Sequence, residues 1–306
     1  MIYLNEKEAA QFHIKNTAIA LGKFDGIHLG HQLLVDGLLE EKKQGRNALV
    51  FTFGFAPKEV LEGSIRRCIY TAQEKKQYFE SLGMDVLLEY PFTKEFAAFT
   101  PEEFVKTCLV DALDVKAIYV GTDFHFGKNR SGNVKTLQEL GEKYGFTVHA
   151  ISKKNMQGEV VSSTRIRTLI EKDFEQANVL LGNPYFIFSE VVHGKHLGNT
   201  IGFPTINQVI SPDKVVPAYG VYASQVTIDE KQYFAVSNLG KKPTIAGEHA
   251  LGLETFIINY EGDLYGKMIK TQLRTFIRPE QKFSSVEELT EQIQKDVMQV
   301  KRLYGI

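Results

Sequence analysis

Apolar and polar positions in the first half of the chain fall into two alternating textures. Short unbroken apolar runs are separated by longer stretches in which apolar residues return every three or four positions. The run 17–21 (Thr-Ala-Ile-Ala-Leu) reads as a buried strand. After a glycine-rich turn, Leu33, Leu34, Leu38 and Leu39 recur at helical spacing, followed by the polar Glu40-Glu41-Lys42-Lys43 and a stop at Gly45. A second strand follows over 48–53. The alternation then predicts a helix over 74–82 stopped by Gly83, a strand over 85–90 and a helix over 101–112. Thr100-Pro101-Glu102-Glu103 opens that last helix in capping-box form, with proline at its first position. A strand over 117–121, a helix over about 133–144 and a strand over 146–151 complete the series. Strand–helix alternation of this kind specifies a Rossmann-like, doubly wound parallel sheet with helices on both faces, here over residues 1 to about 155. Ser162-Ser163 then caps one further helix, with Ile166, Leu169, Ile170, Phe174 and Ala177 on its apolar stripe, ending near Leu181-Gly182.

Beyond Pro184 the texture changes. Short β-rich runs appear over 186–192, 221–228, 233–237, 255–260 and 270–277, separated by turns containing Gly, Pro or Asp. Helical spacing returns only over 286–303, where Leu289, Ile293, Val297 and Val300 line up. This predicts an antiparallel β-barrel or sandwich closed by a C-terminal helix. The expected domains are 1–183 and 184–306, with no internal repeat and no low-complexity tract.

Composition changes little in this picture. The 306 residues are 43% hydrophobic and 24% charged, which is ordinary for a globular protein of two domains. A formal net charge of −1 argues against a broad nucleic-acid surface. The N-terminal residues lack the charged and apolar regions of a signal peptide, and no apolar run is long enough to span a bilayer. The only cysteines, Cys68 and Cys108, are far apart in sequence, as expected of unpaired thiols in a reducing cytosol. The expectation is a cytoplasmic enzyme acting on small molecules, without nucleic-acid or membrane partners, as a monomer or weak homo-oligomer.

The candidate chemistry begins at the first strand's end. Gly22-Lys23-Phe24-Asp25-Gly26-Ile27-His28-Leu29-Gly30-His31 places glycines, one carboxylate and two imidazoles at a strand-to-helix turn. Glycines let backbone amides approach a phosphate, and the helix N-terminus adds a positive dipole end. A histidine there can donate to phosphoryl oxygens as charge builds, the requirement of a nucleotidyltransferase. Glycine spacing matches neither a Walker A loop nor a dinucleotide fingerprint, and no further ligand stands at zinc-site spacing. Arg165 and Arg167, behind Ser163 and Thr164 at a helix start, are candidate triphosphate clamps. Asp123, Phe124, Phe126 and Arg130 follow a strand's C-terminal end, where they could line a pocket for a flat ligand. In the second half, Gly198-Asn199-Thr200-Ile201-Gly202-Phe203-Pro204-Thr205-Ile206-Asn207 sets an irregular backbone beside two side-chain oxygens suited to Mg²⁺ or phosphate. Read by itself, this stretch is more simply a turn.

These stretches carry a resemblance. The Gly22–Gln32 turn, Val120-Gly121-Thr122-Asp123-Phe124-His125-Phe126-Gly127-Lys128-Asn129-Arg130-Ser131-Gly132 and Ser162-Ser163-Thr164-Arg165-Ile166-Arg167 resemble, in order, the motifs of bacterial FMN adenylyltransferases. The Gly198–Asn207 stretch resembles the flavokinase signature. It is followed in order by Pro217–Ala223, Asn238-Leu239-Gly240-Lys241-Lys242-Pro243-Thr244, Leu253-Glu254-Thr255 and Arg278-Pro279-Glu280-Gln281-Lys282-Phe283. From about residue 15 to 304 the chain resembles the bifunctional riboflavin kinase/FAD synthetase family.

The resemblance implies a nucleotidyltransferase domain that joins FMN to the adenylyl group of ATP, giving FAD and pyrophosphate. It also implies a riboflavin kinase-like barrel that phosphorylates riboflavin from ATP, with Mg²⁺ in both reactions. His28, His31 and Arg165 would meet ATP phosphates, with Gly22, Phe24, Asp25, Gly26, Gly30, Ser163 and Thr164 shaping that site. Asp123, Phe124, Phe126 and Arg130 would surround the flavin. In the barrel, Gly198, Thr200 and Gly202 would hold ATP and Thr205 and Asn207 the metal. Asn238 would touch flavin, and Glu254 would be the general base for the ribityl 5′-hydroxyl. Four departures stand out. Ala56 replaces the family's usual imidazole after the second strand, Phe256 replaces a histidine beyond Glu254-Thr255, and Ile206 stands beside the metal ligands where alanine is usual. Asn199 also replaces a common basic residue. The alternative reading is therefore an FAD synthetase whose kinase-like domain only binds flavin or regulates.

Overall fold

Thr17–Leu21 is buried along its whole length, as an apolar strand covered on both faces must be. The computed structural model describes residues 1–4, 14–53, 67–194, 197–243 and 249–306. By packing they form two units, Met1–Arg66 with Lys75–Ser162, and Arg67–Glu74 with Ser163–Ile306.

The first unit contains strands β1 (Ile2–Leu4), β2 (Thr17–Leu21), β3 (Asn47–Phe53), β4 (Val86–Tyr90) and β5 (Val115–Gly121), a short hairpin β6–β7 (His125–Phe126, Gly132–Asn133), strand β8 (Thr147–Ile151) and a second hairpin β9–β10 (Asn155–Met156, Glu159–Val160). The six-stranded sheet runs β1-β4-β3-β2-β5-β8, parallel throughout. From β2 the chain winds outward through β3 and β4, then returns to place β5 on the other side. The turn after β2 therefore opens at the topological switch point, where open α/β sheets hold their ligands. Helix α1 (Leu29–Lys43) leaves that turn, α2 (Ala72–Ser81) precedes β4, α3 starts at Pro101–Glu103, and α4 (Val134–Tyr144) precedes β8. The Thr100 capping box is present, but α3 widens into a π-helix over Phe104–Asp111, with Lys106 bonded to Asp111 five positions on. Apolar spacing does not separate this winding from an ordinary helix, since Phe104, Val105, Cys108 and Leu109 are buried in it.

The second unit contains α5 (Ser163–Lys172), α6 (Phe174–Leu181), strands β11 (Phe186–Val192), β12 (Thr205–Val209), β13 (Gly220–Ile228), β14 (Lys231–Pro243), β15 (His249–Ile257) and β16 (Met268–Pro279), and helix α7 (Val286–Tyr304). The strands close an antiparallel barrel in the order β11-β12-β15-β14-β13-β16. The single helix expected over 163–181 is broken at Asp173, which leaves helical geometry and caps α6 through the Gln176 amide. Asn178 of α6 donates to the carbonyls of Leu273 and Arg274 on β16 and accepts from the Tyr185 amide. Both helices therefore pack with the barrel, and the division by packing follows Ser162 rather than residue 183. Strand β12 is the barrel strand that the sequence pattern missed. Its five residues follow Gly202-Phe203-Pro204 and read as loop.

Strand alternation sorts the barrel's residues. On the inner face Ser224, Ser237 and Thr255 form a buried hydroxyl chain, 2.6 and 2.8 Å per link, above an apolar cluster that includes Val226, Ala235 and Ile257. On the outer face Val221, Ala223 and Val236 pack with Val300 of α7.

Segment 67–74 is built into this unit. Cys68 forms a parallel bridge with Lys214, and the buried Lys214 ammonium donates to the Ile69 carbonyl at 2.7 Å and to Glu74 at 2.5 Å. Glu74 also accepts from the Phe188 and Thr71 amides, and the Tyr185 ring lies 4.5 Å from the ammonium. A buried pair like this adds little net stability, yet losing one partner strands the other charge. Lys214→Met should lower stability by about 3–5 kcal/mol in urea unfolding, with much of it recovered in Lys214→Met/Glu74→Gln. A single variant as stable as the parent would refute the pair's role.

Candidate active sites

Between β2 and α1 the chain turns sharply, with Phe24 (φ +47°) and Gly26 (φ +67°) in the left-handed region. Gly26 adopts this without cost, whereas Phe24 is held there by packing. Its fully buried ring lies 4.9 Å from His31 and edge-on to Phe79. His28 takes the N-cap position of α1, and its Nδ1 accepts from the amides of Gly30 (3.2 Å) and His31 (3.3 Å). His31 sets its own Nδ1 3.3 Å from the Gly26 carbonyl, and the two imidazoles stack with centroids 3.7 Å apart and planes 16° from parallel. A Cβ on Gly30 would come 3.1 Å from the His28 ring, so a side chain at that position would have to displace the ring.

These partners assign the ring protons. Amides only donate, so His28 Nδ1 is bare and its proton sits on Nε2. The Gly26 carbonyl only accepts, so His31 carries its proton on Nδ1. Burial, reinforced by the facing His31, lowers the His28 pKa to about 3, although the buried Asp25 acts the other way. Burial lowers His31 to about 4, against the Gly26 hydrogen bond. Both rings are neutral at pH 7 and present one N–H donor, His28 Nε2, at a helix N-terminus.

The remaining residues expected at this site are distributed as follows. Gly22 passes over the Phe24 ring, where an added Cβ would sit 3.0 Å away. Phe124 is half-buried and stacks on Phe126 at 5.6 Å. Phe126 itself is a core residue against Phe104, so it can only back Phe124 and does not face a ligand. Asp123 and Arg130 are exposed, Asp123 paired with Lys153 at 2.8 Å. Ser163, Thr164 and Arg165 form the first turn of α5 in the second unit, with Arg165 half-buried and Arg167 donating to the Arg67 carbonyl. The change at Ala56 lies outside the described residues. Sequence reasoning missed an aromatic shelf at the strands' C-terminal ends. Phe53, Tyr90, Phe92 and Phe96 are half-buried, with neighbouring rings 4.7–5.7 Å apart. Its signal was the density of aromatics over 90–99.

The barrel site is a row across the outer face. Asn207 of β12 pairs in register with Glu254 of β15, Glu254 with Asn238 of β14, Asn238 with Val221 of β13, and Val221 with Arg278 of β16. Cross-strand partners share a face, so four polar side chains from distant parts of the sequence fall in one row, with Val221 between Asn238 and Arg278. Thr205, two positions before Asn207, shares that face. Ile206 points the other way, pairing with Thr255 and packing on the barrel's inner cluster. Its bulk therefore does not crowd the metal ligands, contrary to expectation, because strand residues alternate. Above Thr205 the loop turns tightly: the Phe203 amide donates to the Gly198 carbonyl at 2.8 Å, and a Cβ on Gly198 would collide with the Phe203 carbonyl. Gly202 (φ +84°) makes the turn, with Thr200 exposed. Phe256 meets Phe203 edge-on at 5.2 Å as an apolar wall.

A cavity of about 190 Å³ between this face and α7 is lined by Thr205, Asn238, Glu254, Phe256, Arg278 and Asp296, among others. Thr205 also lines a second cavity of about 410 Å³ with Tyr260 and Tyr265. Among the described residues no group of three His, Cys, Asp or Glu could hold a metal ion, and no helix is long and apolar enough to cross a membrane.

Comparison with known proteins finds two family models along the chain. A family model described as FAD synthetase matches residues 10–165, and one described as riboflavin kinase matches 181–304. The bifunctional riboflavin kinase/FMN adenylyltransferase of Escherichia coli K12 is 38% identical over 296 residues, spanning 95% of this chain and 94% of that relative. The protein of the same name from Bacillus subtilis is 37% identical over 298 residues, 94% and 93% of the two chains. A Streptococcus pneumoniae structure titled macrolide-efflux protein superposes with a TM-score of 0.81 at 30% identity, covering 98% of this chain and 99% of that one.

The buried neutral histidines predict a pH dependence. Unfolding exposes them to titrate near 6.5, so the unfolded state binds more protons at every pH between that value and 3–4. Their contribution to stability is complete above pH 6.5 and declines as pH falls through that window. His28→Gln should flatten this part of a thermal-unfolding pH profile. Identical slopes for variant and parent would contradict the buried neutral pair.

Proposed function

The chain belongs to the bifunctional riboflavin kinase/FMN adenylyltransferase family, and from that premise we propose how its residues divide the two reactions. The enzyme phosphorylates riboflavin to FMN and adenylylates FMN to FAD. We assign adenylyl transfer to 1–183 and phosphorylation to 184–306, in a cytoplasmic protein that works as a monomer or weak homo-oligomer.

The observation that carries the adenylylation assignment is the stacked His28–His31 pair capping α1 at the sheet's switch point. The FMN phosphate attacks the α-phosphorus of ATP and pyrophosphate leaves. Chemistry of this kind calls for positioned donors rather than a covalent nucleophile. His28 Nε2–H and the first amides of α1 donate to phosphoryl oxygens as charge builds. Phosphate charge beside His31 favours uptake of a second proton at Nε2, giving a second donor. Gly22, Phe24, Asp25, Gly26 and Gly30 hold the turn, Ser163, Thr164 and Arg165 grip the triphosphate, and Asp123, Phe124 and Arg130 attend the flavin.

In the barrel, Glu254 accepts the proton of the ribityl 5′-hydroxyl as its oxygen attacks the γ-phosphorus and ADP leaves. Asn207 and Asn238, in register on either side, support this role, with Asn238 on the flavin side. Thr205 and Asn207 offer two neutral oxygens on one face. That set suits Mg²⁺ carried in on nucleotide phosphates, since this ion keeps most of its ligands as phosphate and water. Bound there, Mg²⁺ would screen the charge of the transferred phosphoryl group. Gly198, Thr200 and Gly202 shape the loop over the nucleotide.

Chromatography of products from ATP and Mg²⁺ with riboflavin, or separately with FMN, tests both assignments. His28→Ala should abolish FAD formation and spare FMN formation. Glu254→Gln should slow FMN formation by about 10²–10⁴ and leave FAD formation from FMN intact. Loss of both activities in either folded variant would overturn the two-site division. FAD from FMN without FMN from riboflavin in the parent would leave a synthetase with a silent barrel.

A further inference from the structure

Helix α2 belongs to both units. Residues 72–74 fall with the barrel and residues 75–81 with the parallel sheet, although the helix itself is continuous. Each part is fastened within its own unit by buried side chains.

At the start of the helix, Glu74 serves three partners at once. With Thr71 it forms a capping box. The Glu74 amide donates to the Thr71 hydroxyl at 3.2 Å, and the Thr71 amide donates to Glu74 Oε2 at 2.9 Å. The same Oε2 takes the Lys214 ammonium, and Oε1 takes the Phe188 amide of β11 at 3.2 Å. The carboxylate side chain is 2% exposed and the lysine 1%. A helix of ten residues is marginal by itself, and its first amides need partners. Lys214 and β11 therefore dictate where its first turn lies.

Farther along, the same helix backs the turn that carries the two histidines. Phe79 is fully buried and lies edge-on to Phe24 at 5.5 Å, and Phe24 lies 4.9 Å from His31. Tyr78 is buried and hydrogen-bonds Gln32, the residue after His31 on α1. Lys75 pairs with Glu89 of β4 at 3.7 Å. From Glu74 to Phe79 the helix rises about 7.5 Å, a span over which it bends little, so a displaced start displaces Phe79. Phe24 is sensitive to such a shift because packing holds its backbone in the left-handed region (φ +47°).

We propose that the Glu74–Lys214 pair is a positioning pair for adenylyl transfer. It fixes the start of α2, and α2 sets the rings that hold Phe24 and His31 in place. Adenylyl transfer thus depends on a buried ion pair of the barrel unit that touches neither ATP nor FMN. This rests on the reading of the His28–His31 pair as the site of that reaction. Donors to developing charge must be placed within about an ångström, whereas ATP binding is shared among many contacts, so the loss falls on kcat.

The test uses the full chain well below its unfolding temperature and measures FAD formation from FMN beside FMN formation from riboflavin. Lys214→Met/Glu74→Gln removes both charges and strands neither. It should lower kcat for FAD formation about ten- to a hundredfold, with KM for ATP and FMN and the kinase rate within about threefold of the parent. Phe79→Leu should lower the same kcat by a similar factor. Because both changes act through α2, their losses should not multiply, and the combined variant should be about as slow as the slower of the two. Thr71→Ala only opens the capping box and should lower this kcat about three- to tenfold, which keeps the test open if the charge-pair variant fails to fold. Multiplied losses would overturn the proposal, since the pair and the ring would then act independently. So would an unchanged kcat in the charge-pair variant or in Thr71→Ala, or an equal fall in both activities, the mark of a merely structural role. Undiminished FAD formation in His28→Ala would instead remove the reading on which the proposal stands.

Discussion

A β-strand turns successive side chains to opposite faces, and the barrel unit depends on that alternation. In β14 and β15, Ser237 and Thr255 face inward into a chain of buried hydroxyls, so Asn238 and Glu254 must face outward. The inner chain satisfies polar groups that would be costly to bury alone. It also pins the register, since a one-residue slip would expose the hydroxyls and bury Glu254. The same rule turns Ile206 inward and so separates it from the oxygens of Thr205 and Asn207. The arrangement of the outer row is thus a consequence of what fills the inside.

In the first unit the governing constraint is the unsatisfied amides of a helix start. His28 meets two of them where serine or aspartate is the usual cap, which commits its Nδ1 and leaves Nε2–H as a donor. The turn that delivers it is strained at Phe24, and the buried aromatic contacts of that ring hold it there. Both imidazoles are kept neutral by the burial that stacks them. A phosphate arriving beside them meets fixed dipoles, and its charge favours a second proton on His31, so the site answers developing charge without moving its side chains.

Much of this was legible in the residues. The Gly22–His31 turn, the strand–helix alternation around it and the Thr100 capping box are local features, written in neighbouring residues with their own physics. The Asp173 break was not legible, because Ile166, Ile170, Phe174 and Ala177 keep helical phase across it. Strand β12 was hidden by its length and by the Gly-Phe-Pro before it. Phe126 looked like a pocket residue beside Phe124, and only packing against Phe104 placed it in the core. The widening of α3 into a π-helix leaves no trace in apolar spacing.

Arg278 and Asp296 mark the boundary between the two kinds of information. The chain alone determined where strands, turns and amphipathic helices form, which glycines a turn requires, and which residue types can carry phosphate chemistry, because these follow from neighbours within a few positions. It could not determine that Asn207, Glu254, Asn238 and Arg278 form one row, nor that an aspartate in the stripe of α7 is the anchor of an arginine. Those relations are set by strand order and register across a closed barrel. They join residues from distant parts of the chain, and they exist only once the apolar faces have been buried against one another.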